Sequence, residues 1–288
     1  MKRPARRTTT LALLLLAALP AFAGQAAAAQ KPIAVQMYTL RDAGSLDQQL
    51  KIVHDAGVQA VETVGTQNVS AVELKRLLDR HSIKAVSSHV QLAELRTDLD
   101  SVIAFNRSIG NTTLVVPYLD EQDRPTDAVG WTALGQELGR IAKRARANGM
   151  RMAYHNHDFE LVEFDGMTGL ELLFAAAGPD LQTELDLAWV ARAGHDPAVM
   201  LGKFRGRVFA VHAKDNAPKG QADDEGGFAA VGQGVLDWNT ILPAAAAAGV
   251  QWYIVEHDHP HDPATVIQTG ADYLRDHLPA TLPARAPR

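Results

Sequence analysis

From residue 32 onward, short apolar runs rich in β-branched residues alternate with longer stretches whose apolar positions recur every three or four residues. The first pattern predicts strands and the second amphipathic helices. Eight runs read as strands, at 33–38, 58–64, 84–89, 113–118, 151–157, 182–187, 208–213 and 252–257. Eight helical stretches follow them in turn, at 46–56, 70–81, 98–109, 131–148, 168–177, 196–203, 238–248 and 263–275. The stretch 131–148 is the clearest: Trp131, Leu134, Leu138, Ile141, Ala142 and Ala145 share one face, and Asn148-Gly149 supplies a stop. Ala56-Gly57, Ile109-Gly110 and Ala248-Gly249 repeat that punctuation, in which glycine ends a helix in the left-handed conformation.

Eight strand-helix units in about 260 residues predict a (β/α)8 TIM barrel over residues 30–277. The rival is an open doubly wound sheet. No Gly-x-Gly-x-x-Gly follows the first strand, and Gln36-Met37-Tyr38-Thr39 is unlike a phosphate loop. Residues 1–29 are different material. Lys2, Arg3, Arg6 and Arg7 precede an apolar run at 11–19, and Ala21-Phe22-Ala23 and Ala26 to Ala29 suit cleavage, which predicts a signal peptide and an exported, periplasmic or secreted protein. The run is too short to span a bilayer, so no stable membrane anchor is expected. Arg6-Arg7 resembles a twin-arginine signal, but the residues that usually follow the pair are absent, so ordinary export stays equally open. Residues 278–288, with three prolines, read as a loose tail.

Charge and composition narrow the chemistry. The formal net charge is −5, and removing the four positive charges of 1–29 would take it to −9, so no nucleic-acid partner is expected. With no cysteine, any metal must be held by His, Asp and Glu.

Catalytic groups of a TIM barrel lie at the C-terminal ends of its strands. Here those ends carry Glu62, Ser87-Ser88-His89, Tyr154-His155-Asn156-His157-Asp158-Phe159-Glu160, Glu184-Leu185-Asp186, His212-Ala213-Lys214-Asp215 and Glu256-His257-Asp258-His259. Each alone has a structural explanation, as a cap, a hydrogen-bonded core histidine or one half of an ion pair. Together, acids at the ends of hydrophobic strands call for a cation or a reacting proton. The all-oxygen and nitrogen donor set suits a divalent ion, Mn²⁺ first and Zn²⁺, Co²⁺ or Mg²⁺ as alternatives. The His-Glu-x-x-His of zinc proteases is absent.

The run 154–160, Glu184-Leu185-Asp186-Leu187-Ala188-Trp189-Val190, Ala193-Gly194-His195-Asp196-Pro197, Val211-His212-Ala213-Lys214-Asp215, the stretch 231–238 and Val255-Glu256 resemble the sugar phosphate isomerase/epimerase family, xylose isomerase-like barrels related to endonuclease IV. The resemblance covers essentially all of the chain after residue 30 and implies one divalent ion held by a residue from each of strands five to eight, with a carbohydrate completing its shell. It carries Asp186, His212 and Glu256 over as metal ligands, with Glu160 or His155 as the fourth. It further implies an isomerase or epimerase working through an enediolate, or a lyase or hydratase acting on a keto-sugar or keto-glycoside. Relatives of this kind are often dimers or tetramers, so a homo-oligomer is the protein partner to expect.

In that chemistry Glu160, Glu256 and His157 are candidate bases, and Lys214 a candidate to steady an oxyanion. Lys214 is as readily explained by an ion pair with Asp215 or Glu184. Glu62, His89 and His155 are candidates for binding sugar hydroxyls, and Trp189, Phe159 and Trp238 could face a sugar ring or sit in the core. The stretch 216–234 has no regular period and reads as a loop over the rim. A barrel that binds carbohydrate without turnover is the rival of a different class.

Overall fold

The computed structural model describes residues 31–279; the segment expected to act as an export signal, 1–29, and tail residues 280–288 lie outside the described residues. All eight runs form strands: β1 Ile33–Gln36, β2 Ala60–Val64, β3 Lys84–His89, β4 Thr113–Val116, β5 Arg151–His155, β6 Leu181–Asp186, β7 Val208–Ala213 and β8 Trp252–Val255. They pair in parallel around a closed barrel, each with its sequence neighbours and β8 with β1.

Outside the barrel run α1 Leu46–Asp55, α2 Ala71–Arg80, α3 Leu92–Thr97, α4 Leu99–Ser108, α5 Ala128–Ala147, α6 Gly169–Ala177, α7 Leu187–Arg192, α8 Pro197–Lys203, α9 Trp238–Ala248 and α10 Pro263–His277. Their starts are chemically marked: Ser45 with Gln48 and Thr168 with Glu171 form capping boxes, and Asp196 and Asp262 cap helices that open on proline. The expected stops hold, since Gly57, Gly110, Gly149 and Gly249 all have positive φ. Helices α3 and α7 went unpredicted, because six residues give less than two turns of apolar period to read. No helix among the described residues is long and apolar enough to cross a membrane.

Two apolar clusters hold the structure. A large one fills the layer between strands and helices, with Trp131, Leu138, Tyr154, Leu173 and Tyr253 fully or almost fully buried; Leu278, placed in the tail by sequence, also packs there. A small one, Ala34, Ala60, Val115, Ala153, Phe209, Ala210 and Ile254, plugs the barrel interior. Because strand side chains alternate, the residue two places after each of several plug residues shares its inward face. Those residues are Gln36, Glu62, His155, His212 and Glu256. The register sets Gln36 beside Glu62, His155 beside Glu184 and Asp186 beside His212. A dry plug thus floors a polar chamber at the C-terminal end.

Candidate active site

Asp186 ends β6 and caps α7. Its Oδ1 accepts the Trp189 N–H (2.9 Å), and its own backbone N–H donates to Asn156 Oδ1 (3.0 Å). Those two contacts fix the carboxylate and aim Oδ2 into the chamber, where it has no hydrogen-bond partner among the described residues. Around it stand Lys214 Nζ at 2.9 Å, His155 Nε2 at 3.9 Å and His212 Nδ1 at 4.0 Å. Glu256, just beyond β8, accepts from His212 Nδ1 at 2.7 Å and lies 2.8 Å from Lys214 Nζ. One donor atom each from His155, Asp186, His212 and Glu256 falls within 4.8 Å of the others, so these four could hold a metal ion.

Burial raises the Asp186 carboxyl above its ordinary value despite Lys214, which marks a carboxylate whose charge is incompletely compensated. Glu256 is held well below the carboxylate range, with burial overcome by His212 and Lys214. His155, buried beside His212, is pushed down to about 3 and is neutral, as a metal ligand must be.

Beneath this set lies a second. Glu62 and Glu184 are fully buried, and the strand register shifts at Val61/Glu62 and at Thr183/Glu184, irregularities of the kind that re-aim a side chain. His212 Nε2 is 2.8 Å from Glu62 Oε1 and 3.0 Å from Glu184 Oε1; His89 Nε2 is 2.9 and 3.0 Å from the same two oxygens. Gln36 Nε2 donates to Glu62 Oε1 at 2.7 Å and faces His89 Nδ1 at 3.2 Å. Burial opposes charge on His89, but Glu62 and Glu184 outweigh it and pull the imidazole up to about 9. The Gln36 amide argues the other way. Its Oε1 accepts the Tyr38 N–H, so its N–H must face His89 Nδ1, which then needs a lone pair. The lone pair that this amide requires on Nδ1 makes His89 the neutral tautomer, with its proton on Nε2 toward the carboxylates.

The chamber opens into a cleft of about 450 Å³ whose walls include Tyr38, Tyr118, His89, His155, His157, Glu256 and Asp258. A slightly larger cleft, about 470 Å³, lies beside it around Arg41, His261 and Asp262, but none of the sequence-predicted site residues line that one. His157 stands in the wall of the first, edge-on to Tyr118, with Nδ1 unpartnered. Burial holds it well below its ordinary value, so it is neutral.

The structure does not bring Glu160 to the cluster of donors. It lies in a short turn behind His157, where Oε1 accepts from the Tyr154 hydroxyl (2.8 Å) and Oε2 from the His157 backbone N–H (2.9 Å), and burial raises it to about 8. Of the two strand-five candidates, His155 joins Asp186, His212 and Glu256. Among the predicted sugar-binding residues, His89 and His155 line the cleft. Glu62 is buried beneath His212, and Trp189 packs behind the wall, 5.3 Å from the His157 ring.

Lys214 pairs with neither Asp215 nor Glu184. It is 1% exposed, hydrogen-bonds Asp258 Oδ1 at 2.7 Å and touches Asp186 and Glu256. Asp215 instead accepts the N–H groups of Gly232, Gly234 and Leu236 and the Trp238 indole N–H, folding 231–238 around itself. A Cβ on Gly234 would come within 2.2 Å of Asp215 Oδ1, so that stretch of the motif shapes a loop and Trp238 is core. The loop at 216–234 is also more regular than its sequence suggests. Asp215–Asn216 pairs with Phe228–Ala229, Asp223–Glu225 makes a helical turn, and Phe228 is buried under Arg192.

Sequence reasoning assigned no role to Gln36, Asn156 or Asp258, and offered Glu184 only as an ion-pair partner for Lys214. Glu184 carried a readable signal: it sits two residues before Asp186 on one strand, and so shares its inward face.

The sequence profile of xylose isomerase-like TIM barrels matches residues 50–277. The chain is 25% identical over 265 residues, 80% of each chain, to the rhizopine catabolism protein MocC of Rhizobium meliloti. It is 30% identical over 149 residues to inosose dehydratase of Lacticaseibacillus casei, spanning 46% of this chain and 48% of that one. Among solved structures, a sugar phosphate isomerase/epimerase of Parabacteroides distasonis superposes with a TM-score of 0.72 at 18% identity, covering 87% of this chain and 96% of the other. The IolI protein, solved with a zinc atom bound, gives 0.67 at 17%, covering 85% and 97%. At these identities the structural likeness speaks for the fold alone.

Proposed function

We propose that this chain, which belongs to the xylose isomerase-like TIM barrel family, is a divalent-metal-dependent isomerase or epimerase that moves a proton on a carbohydrate through an enediolate. The observation that carries the reading is Asp186 Oδ2, a buried carboxylate oxygen without a hydrogen bond, facing the neutral imidazole of His155, the imidazole of His212 and a second carboxylate. Asp186 and Glu256 would supply two oxygen donors, and His212 Nδ1 and His155 Nε2 two nitrogens. With Glu160 as the fourth ligand the set would be three carboxylates and one imidazole, the harder combination that favours Mn²⁺. Two of each is borderline chemistry that suits Zn²⁺ or Co²⁺ as well, and the related IolI protein holds zinc.

A bound ion supplies polarisation of a carbonyl and an adjacent hydroxyl, which acidifies the C–H between them. The chain's own residues do the rest. Neutral His157, held in the cleft wall by the Glu160 carboxyl on its backbone N–H, offers a ring nitrogen to take the proton and return it. Tyr38 and Tyr118 give the cleft apolar edges for a sugar ring. His212 hands its second N–H to Glu62 and Glu184, which fixes its tautomer and orientation.

A dehydratase or lyase is the second reading, favoured by the similarity to inosose dehydratase. It shares the first step and differs in losing a hydroxyl from the neighbouring carbon. Incubation in D₂O with Zn²⁺ or Mn²⁺ and a panel of ketoses, inososes and keto-glycosides tests both. Deuterium at the carbon beside the carbonyl, lost in His157→Gln, is expected. Exchange without water loss favours the isomerase; binding of a panel member with neither exchange nor product would instead make this a carbohydrate-binding barrel.

A further inference from the structure

Lys214 is a buried cation that the proposed reaction does not use. Its Nζ lies 2.9 Å from Asp186 Oδ2 and 2.8 Å from Glu256 Oε2, the same two oxygens offered to a metal ion, and 2.7 Å from Asp258 Oδ1. Only the contact with Asp258 is aligned as a hydrogen bond. The other two are ionic approaches, and Asp186 Oδ2 stays without a hydrogen-bond partner among the described residues. Asp258 also differs from the other two in position. It borders the cleft and its side chain is 16% exposed, whereas that of Asp186 is fully buried.

We propose that Lys214 is the resident cation of the metal-free site, and that a divalent ion enters by displacing its ammonium from Asp186 and Glu256 onto Asp258 alone. This rests on the reading of Asp186 and Glu256 as metal ligands. An ion bonded to both oxygens at about 2.1 Å would lie at most roughly 5 Å from an ammonium that kept its present contacts. Two positive centres that close, among groups shut away from water, repel strongly. The ammonium has somewhere to go. Lysine carries a point charge on a flexible stem, its hydrogen bond already runs to the rim, and Phe228 and Trp189 lie 5.0 and 5.8 Å from Nζ with ring faces that tolerate a cation. The lysine would keep the empty chamber from holding a cluster of uncompensated acids, and metal affinity would be set by the competition between the two cations.

Isothermal titration of Zn²⁺ and Mn²⁺ into the purified full chain, its Lys214→Met variant and its Asp258→Asn variant tests this without reference to turnover. Lys214→Met should bind at least about tenfold more tightly, because the competitor is gone. Asp258→Asn should bind about tenfold more weakly, because the displaced ammonium loses its seat. A crystal structure of the metal-loaded wild type should show Nζ bonded to Asp258 and withdrawn from Asp186 and Glu256. If Lys214→Met does not fold, the Asp258→Asn titration and the loaded structure decide. Unchanged or weaker binding in a folded Lys214→Met, or a loaded site in which Nζ keeps all three contacts, overturns this inference while leaving the metal site standing. No binding by any of the three proteins overturns the metal reading and this inference with it.

Discussion

Glu62 and Glu184 lie on one side of His212, and Asp186 and Glu256 on the other. All four are buried acids at the ends of barrel strands, yet their surroundings differ. The inner pair meets His89, His212 and Gln36, each presenting a proton to a carboxylate oxygen within 3.0 Å. The outer pair takes one hydrogen bond from His212 Nδ1 to Glu256 and one from the Trp189 N–H to Asp186 Oδ1, and a lysine approaches both acids without an aligned hydrogen bond to either, leaving Asp186 Oδ2 unpartnered. Each pair keeps an unpartnered oxygen, Oε2 of Glu62 and Glu184 in one and Oδ2 of Asp186 in the other, so what separates them is the neighbour: fixed imidazole and amide N–H groups on the inner acids, a flexible ammonium beside the outer ones. An acid bonded to fixed ring and amide N–H groups orients its neighbours, and an acid that faces a movable ammonium is the one that can exchange it for another cation.

The comparison breaks most visibly at Asp186. Asp186→Ala should lower turnover by roughly 10³-fold or more while circular dichroism stays native, since one ligand and its charge are lost from the site. A smaller effect is expected across His212. Glu184→Gln keeps the shape but weakens the acceptor for the histidine N–H, so metal affinity should fall about 10 to 100-fold with its stoichiometry intact. If titration shows Glu184→Gln losing the metal as completely as Asp186→Ala, the division into supporting and ligating pairs fails.

The third and smallest test concerns the acid that belongs to neither pair. The Glu160 carboxyl is raised from 4.5 to about 8 by burial. The folded chain therefore retains a proton that the unfolded chain releases between those values, and this contribution to stability is full below about pH 4.5 and lost as pH rises toward 8. Glu160→Gln removes the titration and retains both partners with one bond reversed, the amide oxygen accepting the His157 N–H and the amide nitrogen donating to the Tyr154 hydroxyl. Urea unfolding should show wild type losing stability relative to the variant from pH 5 to pH 8, on the order of a few kcal/mol. A pH-independent gap between them would mean that Glu160 is ionised in the fold.

The fold was legible because the apolar period does most of the work: eight strands, their order and the glycine stops follow from spacing. The short α3 and α7 were not, and the end of β6 shows why. Asp186 closes a strand, caps a helix and faces the chamber, and an apolar run gives no hint of the change in backbone at that point. The site was legible as a set of strand ends, but not in its partition. Whether His155 or Glu160 joins Asp186 depends on the chain turning back after β5, which hides Glu160 behind His157. The partner of Lys214 was misjudged in the same way. Asp215 is adjacent in sequence, but its carboxylate is consumed by the N–H groups of 231–238, leaving Asp258 from the next strand to take the ammonium.

The most direct measurement is the metal content of wild type, Glu184→Gln and Asp186→Ala after chelation, repletion with excess Zn²⁺ and removal of free ion. The account predicts one equivalent in wild type, close to one in Glu184→Gln at saturation, and none in folded Asp186→Ala. A wild type that retains no metal, or an Asp186→Ala that retains a full equivalent, would contradict it.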